Sequence, residues 1–224
     1  MTPDNRYIVI AVIFLSATAV SAITTIAAFE SKPPRLAIAH IAKPLTTDLI
    51  ILFALLRSGG SLDGYAGWIV AGLAFSLAGD IFLMLPKDAF LLGLLSFLVT
   101  HVCYLTAFAE PGGLFTPLIP FLPIAILAGG ALIWLWPGVR AKLRPPVFVY
   151  VALLAAMTGQ GIARAMTLSG VLTLAAAVGS VLFLCSDTLL AVNRFRKPLA
   201  HHQALVLSTY FLGQWLIAFS IAPW

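Results

Sequence analysis

Runs of about twenty apolar residues, each ended by proline, glycine or charge, recur along nearly the whole chain. A hydrocarbon layer about 30 Å thick takes about 20 residues of helix to cross. In lipid a segment must satisfy its own backbone polar groups, so each run folds as a spanning helix. The runs predict spans at Tyr7 to Phe29, Leu36 to Leu56, Tyr65 to Leu85, Ala89 to Ala109, Leu114 to Trp136, Pro146 to Ala165, Gly170 to Val192 and Ala200 to Ile221. The expected fold is all-α, a polytopic transmembrane bundle of about eight spans forming a single transmembrane domain over residues 1–224. A hydrophobic fraction of 61%, a charged fraction of 9% and a mean hydropathy of +1.05 exclude a water-soluble domain. The longest connection, residues 137–145, is too short for an extramembrane domain, so the activity lies in or at the bilayer.

Loop charge sets the orientation. Lys32, Arg35, Lys87, Arg140, Lys142, Arg144, Arg194, Arg196 and Lys197 lie in odd-numbered loops, against Arg6, Arg57 and Arg164 on the other side. That bias puts the odd loops in the cytoplasm and both termini outside, in a multi-pass protein of the cell (inner) membrane. Cleavage of the first run as a signal peptide at Val20-Ser21-Ala22 would turn the basic loops outward, so it reads as a span. The net charge of +5 is then explained by lipid headgroups, and nucleic acid is not an expected partner. Cys103 and Cys185 stand alone in apolar runs and the four histidines are dispersed, which offers neither a disulfide framework nor a metal site, and no cofactor is expected. GxSxG, HExxH and P-loop motifs are absent from the sequence, so serine-hydrolase, zincin and nucleotide-driven mechanisms lack their usual parts.

A charge at mid-bilayer costs about 2.5 to 3.5 kcal/mol on insertion scales, so retained charges are paired, face a cavity or work. Lys43, Asp80 and Asp187 each fall six or seven residues in from an odd-loop boundary, roughly 9 to 11 Å below one surface. His101 and Tyr104 lie deeper in span four, and Tyr210 and Gln214 share a face of span eight at i, i+4. Asp48 sits about 140° around the helix from Lys43 and faces elsewhere. Gln160 and Arg164 are expected to snorkel outward, and His201 and His202 to lie at the interface. A Lys43 ion pair that merely fixes helix packing is one reading, but a single lysine against two aspartates leaves an excess charge. The excess is removed if one carboxyl holds a proton, giving a general acid beside a carboxylate. Ala78-Gly79-Asp80-Ile81-Phe82-Leu83 and Cys185-Ser186-Asp187-Thr188-Leu189-Leu190 echo one another four spans apart, the pattern of two parallel four-helix halves.

Four segments, taken in order, resemble the YhhN family of eight-span membrane proteins, which includes the lysoplasmalogenases. They are Ala42-Lys43-Pro44-Leu45-Thr46-Thr47, Gly79-Asp80-Ile81-Phe82-Leu83-Met84-Leu85, Phe90 to Tyr104, and Ser186-Asp187-Thr188-Leu189-Leu190-Ala191, closed by Thr209-Tyr210 and Gln214. The resemblance implies hydrolysis of the vinyl-ether bond of a lysophospholipid at the bilayer, without metal or cofactor. It implies Asp80 and Asp187 as the catalytic pair, with Lys43, His101, Tyr104, Ser186, Tyr210 and Gln214 around the substrate. A proton-coupled transporter or a non-catalytic lipid-binding protein is the competing class; clustering near one face, in uninterrupted helices, disfavours it. An intramembrane aspartyl protease would want glycine where Leu77 stands.

Overall fold

The computed structural model describes residues 3–86 and 89–222, with side chains from residue 8 onward, so Lys87 and the terminal Trp224 lie outside the described residues. Its helices are α1 (Pro3–Glu30), α2 (Leu36–Arg57), α3 (Gly64–Met84), α4 (Phe90–Ala109), α5 (Phe121–Leu135), α6 (Arg144–Leu168), α7 (Val171–Phe195) and α8 (His202–Phe219), with two short 3-10 turns between α5 and α6. Seven of these segments are long and apolar enough to cross a membrane, as a multi-pass membrane protein requires. The eighth, α8, has 18 residues and is not among those seven. Its polar side chains turn inward, with Tyr210 and Gln214 at 4% and 0% exposure, and it packs against α7, α2 and α1. The lipid-facing sides are apolar: Ile41, Ile133 and Val171 project freely.

The fifth span starts at Phe121 and not at the expected Leu114. Pro111, Pro117 and Pro120 withhold backbone donors there and Phe115 takes a left-handed φ of 58°, so residues 110–120 form a loop. Gln160 holds that loop, accepting from the Phe115 amide at 2.8 Å and donating to the Gly113 carbonyl at 3.0 Å. It is therefore buried, in correction of the expected snorkelling side chain. Its neighbour Arg164 stacks over the Tyr65 ring at 4.4 Å. Asp48 is exposed and away from Lys43, and His201 pairs at the surface with Glu30 at 2.7 Å, both as the sequence suggests.

Helix neighbours repeat between the halves. The contacts of α1 with α2, α2 with α3 and α3 with α4 recur as α5 with α6, α6 with α7 and α7 with α8, and α2 meets α8 as α6 meets α4. The repeated pairs close on glycine: a Cβ at Gly72 would meet the Tyr104 ring at 2.3 Å, and one at Gly179 would meet the Gly213 carbonyl oxygen at 2.8 Å. Small residues permit such approach where hydrophobic force between helices is absent. This neighbour pattern matches two parallel four-helix halves.

Candidate active site

A cavity of about 320 Å³ opens at the odd-loop end of the bundle and is walled by α2, α3, α4, α7 and α8. Lys43, Asp80, Ser186, Asp187 and Tyr210 line it, so three ionisable groups from distant spans meet at one level, as the helical rise implied. His40, Asn193, Arg194 and Gln203 form its polar mouth.

The two carboxyl groups sit in different surroundings. Asp80, at 1% exposure, forms an ion pair from Oδ1 to Lys43 Nζ at 2.9 Å, and its Oδ2 accepts the Thr47 and Tyr210 hydroxyls, each at 2.8 Å. One cation and two neutral donors converge on it, each a contact that an ionised carboxyl strengthens. Asp187 has no lysine or arginine partner among the described residues. Its Oδ2 accepts the Tyr150 hydroxyl, and His101 Nε2 stands off at 3.7 Å, too far for a hydrogen bond. His101 is fully buried with neither ring nitrogen hydrogen-bonded, wedged edge-on against Tyr150 and Phe183 at 4.8 and 5.1 Å.

The asymmetry sits on a symmetric frame. Lys43 and Tyr150 are separated by the same number of residues as Asp80 and Asp187, and as Gly72 and Gly179. In each half the second helix supplies the partner of the third helix's aspartate, lysine in one and tyrosine in the other. The fourth helix of the opposite half completes each arrangement: Tyr210 of α8 at Asp80, His101 of α4 beside Asp187.

The YhhN family model matches residues 38–221. The chain belongs to the YhhN family. Over 191 residues it is 35% identical to human lysoplasmalogenase TMEM86A, covering 82% of this chain and 78% of the human protein. Bovine lysoplasmalogenase TMEM86A is 36% identical over 157 residues, 68% of this chain, and the chain spans 64% of that relative's length. The Mycobacterium tuberculosis lysoplasmalogenase is 31% identical over 135 residues, covering 57% of this chain and 50% of that protein. No solved structure matches the chain.

Not every residue singled out from the sequence reaches the cavity of this YhhN protein. Tyr104 donates to Gln214 Oε1, Gln214 Nε2 reaches Ser76 Oγ at 2.7 Å, and Ser76 meets Thr100 at 3.1 Å. These residues form a buried polar layer beneath the site that fixes α8 against α3 and α4. Ser186 lines the cavity while its hydroxyl donates to the Val206 carbonyl at 3.0 Å, tying α7 to α8. His101 lies behind Asp187, outside the cavity wall. The sequence reading missed Tyr150, an aromatic residue in an apolar run whose only mark is its register with Lys43. It also missed Thr47 as a ligand of Asp80, and the mouth residues His40, Asn193 and Gln203.

Proposed function

We propose that this YhhN protein is a membrane hydrolase that cleaves the vinyl-ether bond of lysoplasmalogen, releasing a fatty aldehyde and a glycerophospho-alcohol. One observation carries the reading: two carboxyl groups share a membrane-embedded cavity, one paired with a lysine and the other, among the described residues, bonded to a phenol. Relatives bearing the lysoplasmalogenase name support the substrate class.

The surroundings divide the labour. Asp187, lacking a cation, is the group that carries the proton in a low-dielectric site. It gives that proton to the β-carbon of the vinyl ether, and the electron pair of the double bond leaves an oxocarbenium ion at the α-carbon. The Asp80 carboxylate, fixed before reaction by Lys43, Thr47 and Tyr210, stabilises the developing cation without reorganising. Asp187, now ionised, takes a proton from the water that attacks the α-carbon. The resulting hemiacetal collapses to aldehyde and glycerol hydroxyl, and the acid is restored. The headgroup phosphate lies at the mouth, where His40 and Arg194 bring basic nitrogen and Gln203 brings amide donors. The lipid enters from the cytoplasmic leaflet, with both protein termini extracytoplasmic.

Carbon protonation is directly testable. Purified protein in detergent, given lysoplasmalogen in heavy water, should release aldehyde with one deuterium on the carbon next to the carbonyl, provided the product is trapped before enol exchange. Aldehyde without deuterium rules out the acid step, and no aldehyde at all favours a transporter or lipid-binding protein, which detergent leaves without work to do.

A further inference from the structure

The catalytic cavity continues past the carboxyl groups. Beyond Asp187 a narrow apolar cleft of about 60 Å³ runs between α4, α5, α6 and α7, and Asp187 is the one charged residue among its described walls. Leu83, Phe90, Phe97, Asp187 and Leu190 line both spaces, so the acid stands where polar cavity becomes apolar cleft. On the other side of α5 and α6 lies an outward groove of about 330 Å³ with only apolar lining. Ala128, Leu132 and Val151 wall both the cleft and this groove, so a single layer of side chains separates them. Most of α5 faces outward, with 17% of its span buried.

We propose that the cleft is the binding site for the substrate's hydrocarbon chain, that the chain leaves for the bilayer along the α5–α6 seam, and that Ala128 sets which chains fit. The inference rests on the hydrolase reading above. In a 1-alkenyl lysolipid the reacting double bond joins a polar glycerophosphate to an apolar chain. An acid that protonates it must have polar space on one side and apolar space on the other, which is the position of Asp187. A phosphodiester would meet no lysine or arginine among the described walls of the cleft, whose Tyr150 and Thr188 hydroxyls already donate to Asp187 and the Leu184 carbonyl, and a chain folded into the polar cavity would leave Lys43, Asp80 and Gln203 facing hydrocarbon. Moving the chain from lipid into the cleft gains no hydrophobic free energy, because both are apolar. Discrimination therefore comes from shape, and Ala128, at 5% exposure, puts one of the cleft's smallest side chains in the layer that separates cleft from groove.

Two measurements test this. Ala128→Phe should lower kcat/KM for an octadecenyl lysolipid by about tenfold or more, while an octenyl analogue loses less than about threefold, the order a blocked apolar pocket produces. An unchanged chain-length profile in the active variant overturns the proposal. The second needs no variant and no turnover: wild-type protein is irradiated with a saturated 1-O-alkyl lysophospholipid carrying a mid-chain diazirine. Adducts should map to α5 and α6 peptides; adducts confined to α1 and α2, or none above the dark control, overturn it. Adducts on α5 and α6 without aldehyde release from the vinyl ether would leave the chain site standing and remove the hydrolase reading, whereas aldehyde release with adducts elsewhere would do the reverse.

Discussion

Replacing Asp187 with asparagine separates chemistry from architecture at this site. The amide oxygen still accepts the Tyr150 hydroxyl, and among the described residues Asp187 has no ion pair with a lysine or arginine to lose, so the fold should change by no more than about 1 kcal/mol. Turnover should nonetheless fall by about 10²- to 10⁴-fold, the contribution of a positioned general acid. Asp80→Asn makes the opposite structural demand. Lys43 is 8% exposed at its side chain and would be left as a buried charge without its counter-ion, which costs about 3 to 5 kcal/mol. Both variants should lose aldehyde release, but in a detergent thermal-unfolding assay only Asp80→Asn should unfold well below wild type. Asp187→Asn retaining more than about a tenth of wild-type turnover would contradict its role as proton donor. An Asp80→Asn protein as stable as wild type would contradict the buried ion pair.

Lys43→Met should lower stability by about 3 to 5 kcal/mol and also slow turnover; a loss confined to stability, with kcat unchanged, would reduce Lys43 to a packing counter-ion. Tyr150→Phe should lower kcat by about tenfold, since a hydrogen bond to an ionised carboxylate is worth about 1.5 to 3 kcal/mol. Turnover that depends on a general acid should fall as rising pH strips the donor of its proton, and a rate that does not fall on the alkaline side would argue against proton donation by a carboxyl group. A reporter fused after Trp224 should signal an extracytoplasmic C-terminus; a cytoplasmic signal would place the cavity mouth at the other leaflet.

The bundle was legible because lipid imposes one rule on every span, apolar and helical, and its length follows from the bilayer. The start of α5 was not: Leu114 to Phe121 is apolar enough for a span, and only the spacing of Pro111, Pro117 and Pro120 marks a loop. Within the site, charge was the readable signal. Lys43, Asp80 and Asp187 announce themselves by their cost in lipid, whereas Tyr150 and Thr47 are cheap to bury and resemble core residues. Depth along a helix was also readable, but direction around it was not. His101, Tyr104 and Gln214 lie on helices that reach the site, yet their side chains pack behind or beneath it.

The repeated register gives these residues a common logic. If two halves once carried the same arrangement, each aspartate had a partner one helix earlier, and equal partners would have left two equivalent carboxyl groups. Two lysines would hold both as carboxylates and leave no acid; two tyrosines would leave no cation to neutralise either charge in the bilayer. With lysine at position 43 and tyrosine at 150, one carboxyl is ion-paired and the other accepts a phenol, which under the proposed mechanism leaves the second to exchange the proton. The apolar cleft opens on the tyrosine-bonded carboxyl, whereas the lysine-bonded one lines the polar cavity alone. The same substitution that distinguishes acid from carboxylate thus matches the polarity of a lipid that is charged at one end and hydrocarbon at the other. A Tyr150→Lys protein would restore the symmetry, and it should lose turnover while keeping both aspartates.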